Sequence, residues 1–117
     1  MRSKKNTYFT GLGAEFRARW FLRFHGYRIL QSRYITGCNT GRAEIDIIAR
    51  RGKLIVFIEV KYRPDLRTAW DAITGPQAIR LRRAAENYLA KNHWRWDARF
   101  DVIAVCGRKI YWAKNAI

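Results

Sequence analysis

The chain has 117 residues, a length that fits one domain with a real core. Its residues are 49% hydrophobic and 15% aromatic, a composition that argues against a disordered protein. Lysine and arginine number 24 against 9 aspartate and glutamate residues, which gives a formal net charge of +15. Because so few acids can neutralise the basic surface, this charge favours a polyanionic partner. Nucleic acid is favoured over a membrane surface, since no basic helix with one clean apolar face stands out.

The N-terminus and the cysteines bear on the compartment. Met1–Asn6 is basic, but no apolar segment follows it as in a signal peptide, and the longest apolar run is too short to span a membrane. Cys38 and Cys106 have no metal-binding spacing. Free thiols in a reducing compartment are their simplest interpretation, with a disulfide left open. We therefore expect a cytoplasmic protein with no membrane partner.

The first element is a helix. Residues 1–9 are polar and basic, and we expect them to be flexible. Thr10 can cap a helix that ends near Gly26. The aromatic and leucine residues at helical spacing predict its buried face, namely Phe9, Leu12, Phe16 and Trp20, widened by Phe21 and Phe24.

Three strands follow the helix. Residues 27–34 are half polar, as in an edge strand, and Ala43–Ala49 forms the second strand. The third, Leu54–Lys61, is apolar on both faces, which is typical of the middle of a sheet. Only the short turn at residues 50–53 separates the second and third strands, so they should pair as an antiparallel hairpin.

The rest of the chain alternates helix and strand. A short helical turn is expected near residues 69–73, and Thr74 caps a helix that runs to about Lys91. Residues 99–105 and 110–112 form the last two strands. The order is α-β-β-β-α-β-β, which predicts an α/β fold in a single domain over residues 1–117.

Charged side chains at the end of the third strand indicate a site. Glu59 and Lys61 continue a face that begins with Ile55 and Phe57. Charges there are costly unless they are paired, metal-bound or near the edge of the core. Asp46 lies on the neighbouring strand. If the registers agree, both carboxylates project from one face, and Mg²⁺ suits them because it accepts carboxylate, water and phosphate oxygens.

The same residues allow two interpretations. In the catalytic one, the backbone carbonyl of Val60 completes the metal's coordination and Lys61 orients the attacking water or stabilises the developing negative charge. In the other, Asp46, Glu59 and Lys61 form a structural ion-pair cluster without catalysis, and their spacing alone favours neither.

These segments resemble a known group of proteins. Asp46 followed by Glu59-Val60-Lys61, with Glu15 on the preceding helix, is similar to the PD-(D/E)xK signature of restriction-endonuclease-like nucleases. The chain resembles one subgroup in particular, the YraN-like family of small bacterial proteins, which is itself similar to archaeal Holliday junction resolvases. The segments that carry this resemblance are Gly13–Glu15, Gly26–Leu30, Ala43–Ala49, Val56–Arg63 and Arg99–Val102.

The resemblance implies a fold and a site. The fold would be a restriction-endonuclease-like core with a mixed central sheet flanked by helices. Asp46 and Glu59 would bind Mg²⁺ or Mn²⁺, with Lys61 as the catalytic lysine and Glu15 as a further acidic member. Gln77 would match a polar residue sometimes found near such sites.

Two functions follow from the resemblance and the charge. One is a metal-dependent DNA endonuclease acting on branched or structured DNA, for which the two-fold symmetry of a junction favours a homodimer. The other is a module of the same fold that binds nucleic acid without cutting it. In both, arginines that follow the site in sequence would contact phosphates: Arg63, Arg67, Arg80, Arg82 and Arg83.

Overall fold

The computed structural model describes residues 4–37 and 42–117, with side chains in the first of these segments from Gly11 onward. Residues 1–3 of the segment expected to be flexible, and the loop at Cys38, lie outside the described residues. The elements follow in the order α1 (Lys4–Phe24), β1 (Arg28–Thr36), β2 (Ala43–Arg51), β3 (Leu54–Tyr62), α2 (Leu66–Asp71), α3 (Gly75–Lys91), β4 (Asp97–Cys106) and β5 (Lys109–Ala113).

The five strands form one mixed sheet in the order β1-β2-β3-β4-β5. The tight turn at Gly52, where φ is +59°, makes β2 and β3 an antiparallel hairpin. The crossover through α2 and α3 makes β3 and β4 parallel. The predicted hairpin, the central position of β3 and the edge position of β1 are therefore all confirmed, as is the α/β class.

Two hydrophobic layers cover the sheet, one under each long helix. On one face, α1 packs Ala14, Ala18 and Leu22 against Val56 and Ile58 of β3. Because successive strand residues point to opposite faces, the alternate residues of β3 belong to the second layer, below α3. That layer contains Ile55, Phe57, Leu81, Ala84 and Ala85.

Helix α1 differs from its prediction in its start and in its buried face. It begins at Lys4 rather than after a cap at Thr10. Phe16, Trp20 and Phe24 are 55%, 45% and 83% exposed, so the prediction that they belong to the buried face of the helix is wrong. The buried stripe contains the small residues Ala14 and Ala18 instead, which let the helix lie close to the sheet. No helix in the described part of the chain is long and apolar enough to cross a bilayer.

Helix α3 matches its prediction at both ends. The Thr74 side chain accepts a hydrogen bond from the Gln77 backbone N–H at 3.2 Å, with Pro76 in the first turn. The helix ends at Lys91, as expected. This cap fixes where α3 begins and therefore which residues of its first turn face the sheet.

Candidate active site

Strands β2 and β3 separate at the predicted acidic pair. Their ladder ends at Ile47 and Ile58, and Asp46 and Glu59 are the next residues on each strand. The Val60 backbone N–H donates to Asp46 Oδ2 at 2.8 Å. Where the two strands separate, the Asp46 carboxylate therefore satisfies the Val60 N–H, and this bond holds the Asp46 side chain beside β3.

The alternation of β2 is interrupted at this point. Ile45 packs in the layer below α3, whereas Ile47 packs in the layer below α1, although residues two apart in a regular strand share a face. On β1, Ser32 pairs with Ile47 and Tyr34 pairs with Ile45. Arg33 lies between these two pairs and therefore opposite Asp46. Its φ of +54° is in the left-handed region, so both strands are irregular beside the site.

Glu59 is buried and its position is fixed by two donors. Gln77 Nε2 donates to Glu59 Oε2 at 2.7 Å, and Lys61 Nζ lies 2.9 Å from the same oxygen. The Lys61 side chain is only 12% exposed. Because Gln77 stands in the first turn of α3, the capped start of that helix positions Glu59.

Asp46 and Glu59 open onto the same cavity of about 280 Å³ between the sheet and α3. This agrees with the expectation that the two carboxylates share one side. The cavity is polar and arginines stand at its rim. Its lining residues are Arg42, Ala43, Glu44, Asp46, Glu59, Gln77, Arg80 and Leu81.

The environment of Asp46 disfavours its charged form. Burial, and then the nearby charge of Glu59, raise the pKa of Asp46 from 3.8 to about 8, against the opposing effect of the Val60 N–H. The charge of Glu15 raises the pKa further. Two acidic groups therefore lie close together, and the ion pair with Lys61 is made by Glu59 and not by Asp46.

Glu15 approaches from the other side of the sheet. It lines a cavity of about 140 Å³ with Val60, Tyr62 and Arg63, and Arg33 holds its carboxylate through Nε at 3.2 Å and a second nitrogen at 3.3 Å. Burial raises the pKa of Glu15, and the Arg33 charge opposes this rise. Within residues 4–37 and 42–117, no three His, Cys, Asp or Glu side chains are grouped to hold a metal, so the predicted acids do not converge as a triad.

Asp101 is a third buried acid but has a structural role. Its carboxylate accepts two hydrogen bonds from Arg99 at 2.8 Å, one from Trp112 Nε1 at 2.7 Å and one from the Asn115 backbone N–H at 2.8 Å. These donors join β4 to β5 and to the C-terminal turn. Because these donors come from the protein itself, Asp101 is held as part of the packing between β4 and β5.

The five arginines predicted to contact phosphates have different environments. Arg80 lines the cavity of the two carboxylates, and Arg63 lines that of Glu15. Arg67 on α2 and Arg83 on α3 are exposed. Arg82 is exposed as well, but its guanidinium contacts the C-terminal end of the chain.

Arg82 turns toward the C-terminus rather than toward the site. Its guanidinium carbon lies 4.9 Å from the centre of the Phe100 ring, and the group donates to the main-chain oxygen of Ile117. These contacts place Arg82 in the packing of the chain end. It is therefore the least suited of the five arginines to bind phosphate.

Arg33 is a site residue that the sequence did not indicate. It lies in a half-polar edge strand, where an arginine is unremarkable, and a left-handed backbone at a non-glycine residue leaves no reliable pattern in a sequence. Gln77, suggested only by resemblance, has a direct contact with Glu59. Both residues hold an acid of the site in place.

Comparison with known proteins identifies the family. The sequence model of a family described as "Uncharacterised protein family UPF0102" matches residues 14–105. A UPF0102 protein of Bartonella tribocorum is 38% identical over 106 residues, which cover 89% of this chain and 78% of that protein. UPF0102 proteins of Bradyrhizobium diazoefficiens and of Rhodopseudomonas palustris strain BisB5 are 43% and 44% identical over 103 residues, which cover 86% of this chain and 74% and 76% of those proteins. The chain belongs to the UPF0102 family, in agreement with its YraN-like motifs.

Proposed function

We propose that this protein is a divalent-metal-dependent DNA endonuclease built on a restriction-endonuclease-like core, acting on branched or structured DNA. The observation that carries the proposal is the pair of buried carboxylates, Asp46 and Glu59, opening with Gln77 and Arg80 onto one polar cavity. The net charge of +15 adds support, because it suits a polyanionic substrate.

The donor set fits Mg²⁺ or Mn²⁺. Such ions accept one or two carboxylates and complete their coordination with water and substrate phosphate, so a third acidic ligand is not required. The raised pKa of Asp46 reflects repulsion from Glu59 as well as burial, and a cation between the two groups would relieve that repulsion. We assign Asp46, Glu59 and the Val60 carbonyl as the groups that would hold the metal.

The side chains around the pair have separate roles. When bound, the metal would supply Lewis acidity toward a scissile phosphate and toward its attacking water. Lys61, which lies 2.9 Å from Glu59, would orient that water or stabilise the negative charge that develops on phosphate. Gln77 keeps the Glu59 carboxylate in one orientation through its 2.7 Å hydrogen bond.

The proposed roles of the arginines follow their positions. Arg80 and Arg63 line the two cavities beside the acids and would contact phosphates nearest the cleaved bond. Arg67 and Arg83 are exposed on α2 and α3 and would contact the flanking backbone. Glu15 would act through its ion pair with Arg33 rather than as a ligand of the metal, because the Arg33 guanidinium already holds its carboxylate.

A second candidate is a module of the same fold that binds nucleic acid without cutting it. Two observations favour it: the described acids form no group of three suited to a metal, and Lys61 is already ion-paired with Glu59. Both candidates predict DNA binding, so only hydrolysis separates them.

The test is to incubate the full chain with branched, duplex and single-stranded DNA in EDTA, Mg²⁺ or Mn²⁺. We expect cleavage only with a divalent cation. Glu59→Gln and Lys61→Ala should each reduce the rate by at least about 100-fold while DNA binding persists. Glu86→Gln is the matched control, because Glu86 is an exposed carboxylate of α3 away from the cavity, and it should cut like the wild type.

The outcomes separate the two candidates. Binding without cleavage on all three substrates under both metals would reject the endonuclease and leave the binding module. Cleavage that survives Glu59→Gln would show that a different site, or a contaminating enzyme, is responsible.

A further inference from the structure

One face of α1 has an exposed row of aromatic side chains, Phe16, Trp20 and Phe24, which we call the aromatic face. Large apolar side chains repeated in this way on a surface usually mark a binding site. The row lies opposite the buried stripe of Ala14, Ala18 and Leu22, so packing against the sheet does not explain it.

The three residues are evenly spaced along the helix. Residues four apart on a helix are separated by about 6 Å along its axis, so the row extends about 12 Å. The Trp20 and Phe24 ring centres are 6.1 Å apart, with an angle of 40° between the rings. Such a row offers successive flat surfaces along one line.

Arginines stack on the same rings. The Arg23 guanidinium lies 4.8 Å from the centre of the Trp20 ring, and the Arg19 guanidinium lies 6.0 Å from that of Phe16. These side chains add positive charge beside the rings. A partner of the aromatic face must therefore present both planar apolar groups and negative charge.

Single-stranded nucleic acid has both properties. Unpaired bases stack on aromatic rings and on guanidinium planes, while the phosphates between them pair with arginine. The bases of a duplex are stacked internally and are not available to such a surface. A second copy of this chain is disfavoured, because each copy has a net charge of +15 and would meet its own arginines across the contact.

We propose that the aromatic face binds the unpaired nucleotides of single-stranded or branched nucleic acid, with Trp20 as the central stacking residue. Such binding would give the proposed endonuclease a preference for DNA with unpaired bases, and that part of the proposal rests on the proposed function. Binding itself does not depend on hydrolysis.

The test measures binding of the full chain to fluorescein-labelled oligothymidylate and to a blunt duplex by fluorescence anisotropy in EDTA. Trp20→Ala should weaken single-strand binding about 10-fold and duplex binding by no more than about twofold, because stacking requires an unpaired base. Trp20→Phe keeps a ring at this position and should restore most of the affinity. Trp96→Ala, which removes another exposed tryptophan, should bind like the wild type.

Several results would overturn the proposal. These are unchanged single-strand binding by Trp20→Ala, equal losses on both DNA forms, or equal losses from Trp20→Ala and Trp96→Ala. Light scattering tests whether a second copy of this chain covers the aromatic face instead. A wild-type dimer that becomes a monomer in Trp20→Ala, with unchanged affinity for oligothymidylate, would assign the face to that second copy. Because EDTA removes the divalent cations, failure of hydrolysis would not affect these results.

Discussion

Asp46 is the residue where the demands of the fold and of the candidate site meet. Its carboxylate replaces a missing ladder bond by accepting from Val60, which favours the charged form. Burial and the charge of Glu59 oppose that form more strongly, and the pKa rises to about 8. Without a cation, Asp46 is therefore protonated at neutral pH for most of the time.

This pKa predicts how stability depends on pH in metal-free protein. Between the ordinary value of 3.8 and the folded value of about 8, the folded state keeps a proton that the unfolded state releases. The free energy of unfolding therefore falls as pH rises through this range. Asp46→Asn removes the titration and preserves an acceptor for Val60. At about pH 8 the variant should be more stable than the wild type by at least about 1 kcal/mol.

The measurement is urea unfolding in EDTA at several pH values. The advantage of Asp46→Asn should shrink as pH falls and vanish below about pH 3, where both states of the wild type are protonated. Glu86→Gln, which changes an exposed carboxylate, should keep the wild-type profile. A profile for Asp46→Asn that parallels the wild type would show that this carboxyl is not the titrating group.

Arg33 illustrates how backbone strain positions a side chain. Its φ of +54° is costly for a residue with a Cβ, and its guanidinium holds Glu15. Arg33→Gly and Arg33→Ala both delete that ion pair, but only glycine adopts this φ without strain. The glycine variant should therefore be the more stable of the two by roughly 0.5 to 1 kcal/mol, after its larger unfolded-state entropy is included.

Thermal and urea unfolding of the two Arg33 variants test this difference. An alanine variant as stable as the glycine variant, or more stable, would mean that the backbone relaxes out of the left-handed region once the arginine is removed.

At the scale of elements, the start of α3 connects stability to the site. The Thr74 side chain caps the helix by accepting from the Gln77 N–H, and the Gln77 side chain holds Glu59. Thr74→Ala should cost about 1 kcal/mol of unfolding free energy, whereas Thr74→Ser keeps a hydroxyl and should cost much less. Chemical unfolding of both variants measures this, and equal losses would indicate that the methyl group rather than the cap is responsible.

The same elements show what a sequence can reveal. The residues of β3 are apolar on both faces, and the cap and proline of α3 are local signals, so the centre of the sheet and the start of the helix could be predicted. The buried face of α1 could not, because two apolar stripes repeat at the same spacing. The sheet selects the stripe with Ala14 and Ala18, since small side chains permit a close approach.

Some residues of the candidate site could likewise be predicted from the sequence, and others could not. Asp46, Glu59 and Lys61 could be found because charge at the end of a buried strand is unusual. The contact from Arg33 depends on a local irregularity of the strands, which no residue pattern specifies. The separation of Glu15 from the other two acids depends on how α1 lies on the sheet, and helical periodicity does not determine that.

At the scale of the whole molecule, the net charge of +15 makes cation binding a demanding requirement. Long-range repulsion opposes any divalent cation, so weak nonspecific binding to this surface should be slight. A specific site must come from a local concentration of carboxylates strong enough to overcome that field. Among the described residues, Asp46 and Glu59 are two buried acids that share a cavity.

The most direct test is a calorimetric titration of the full chain with Mn²⁺ at about pH 8, where Asp46 can release its proton. We predict one Mn²⁺ bound per chain, with affinity reduced at least about 10-fold in Asp46→Asn and in Glu59→Gln, and unchanged in Glu86→Gln. No binding by the wild type, or equal binding by all four proteins, would contradict a shared cation site at Asp46 and Glu59.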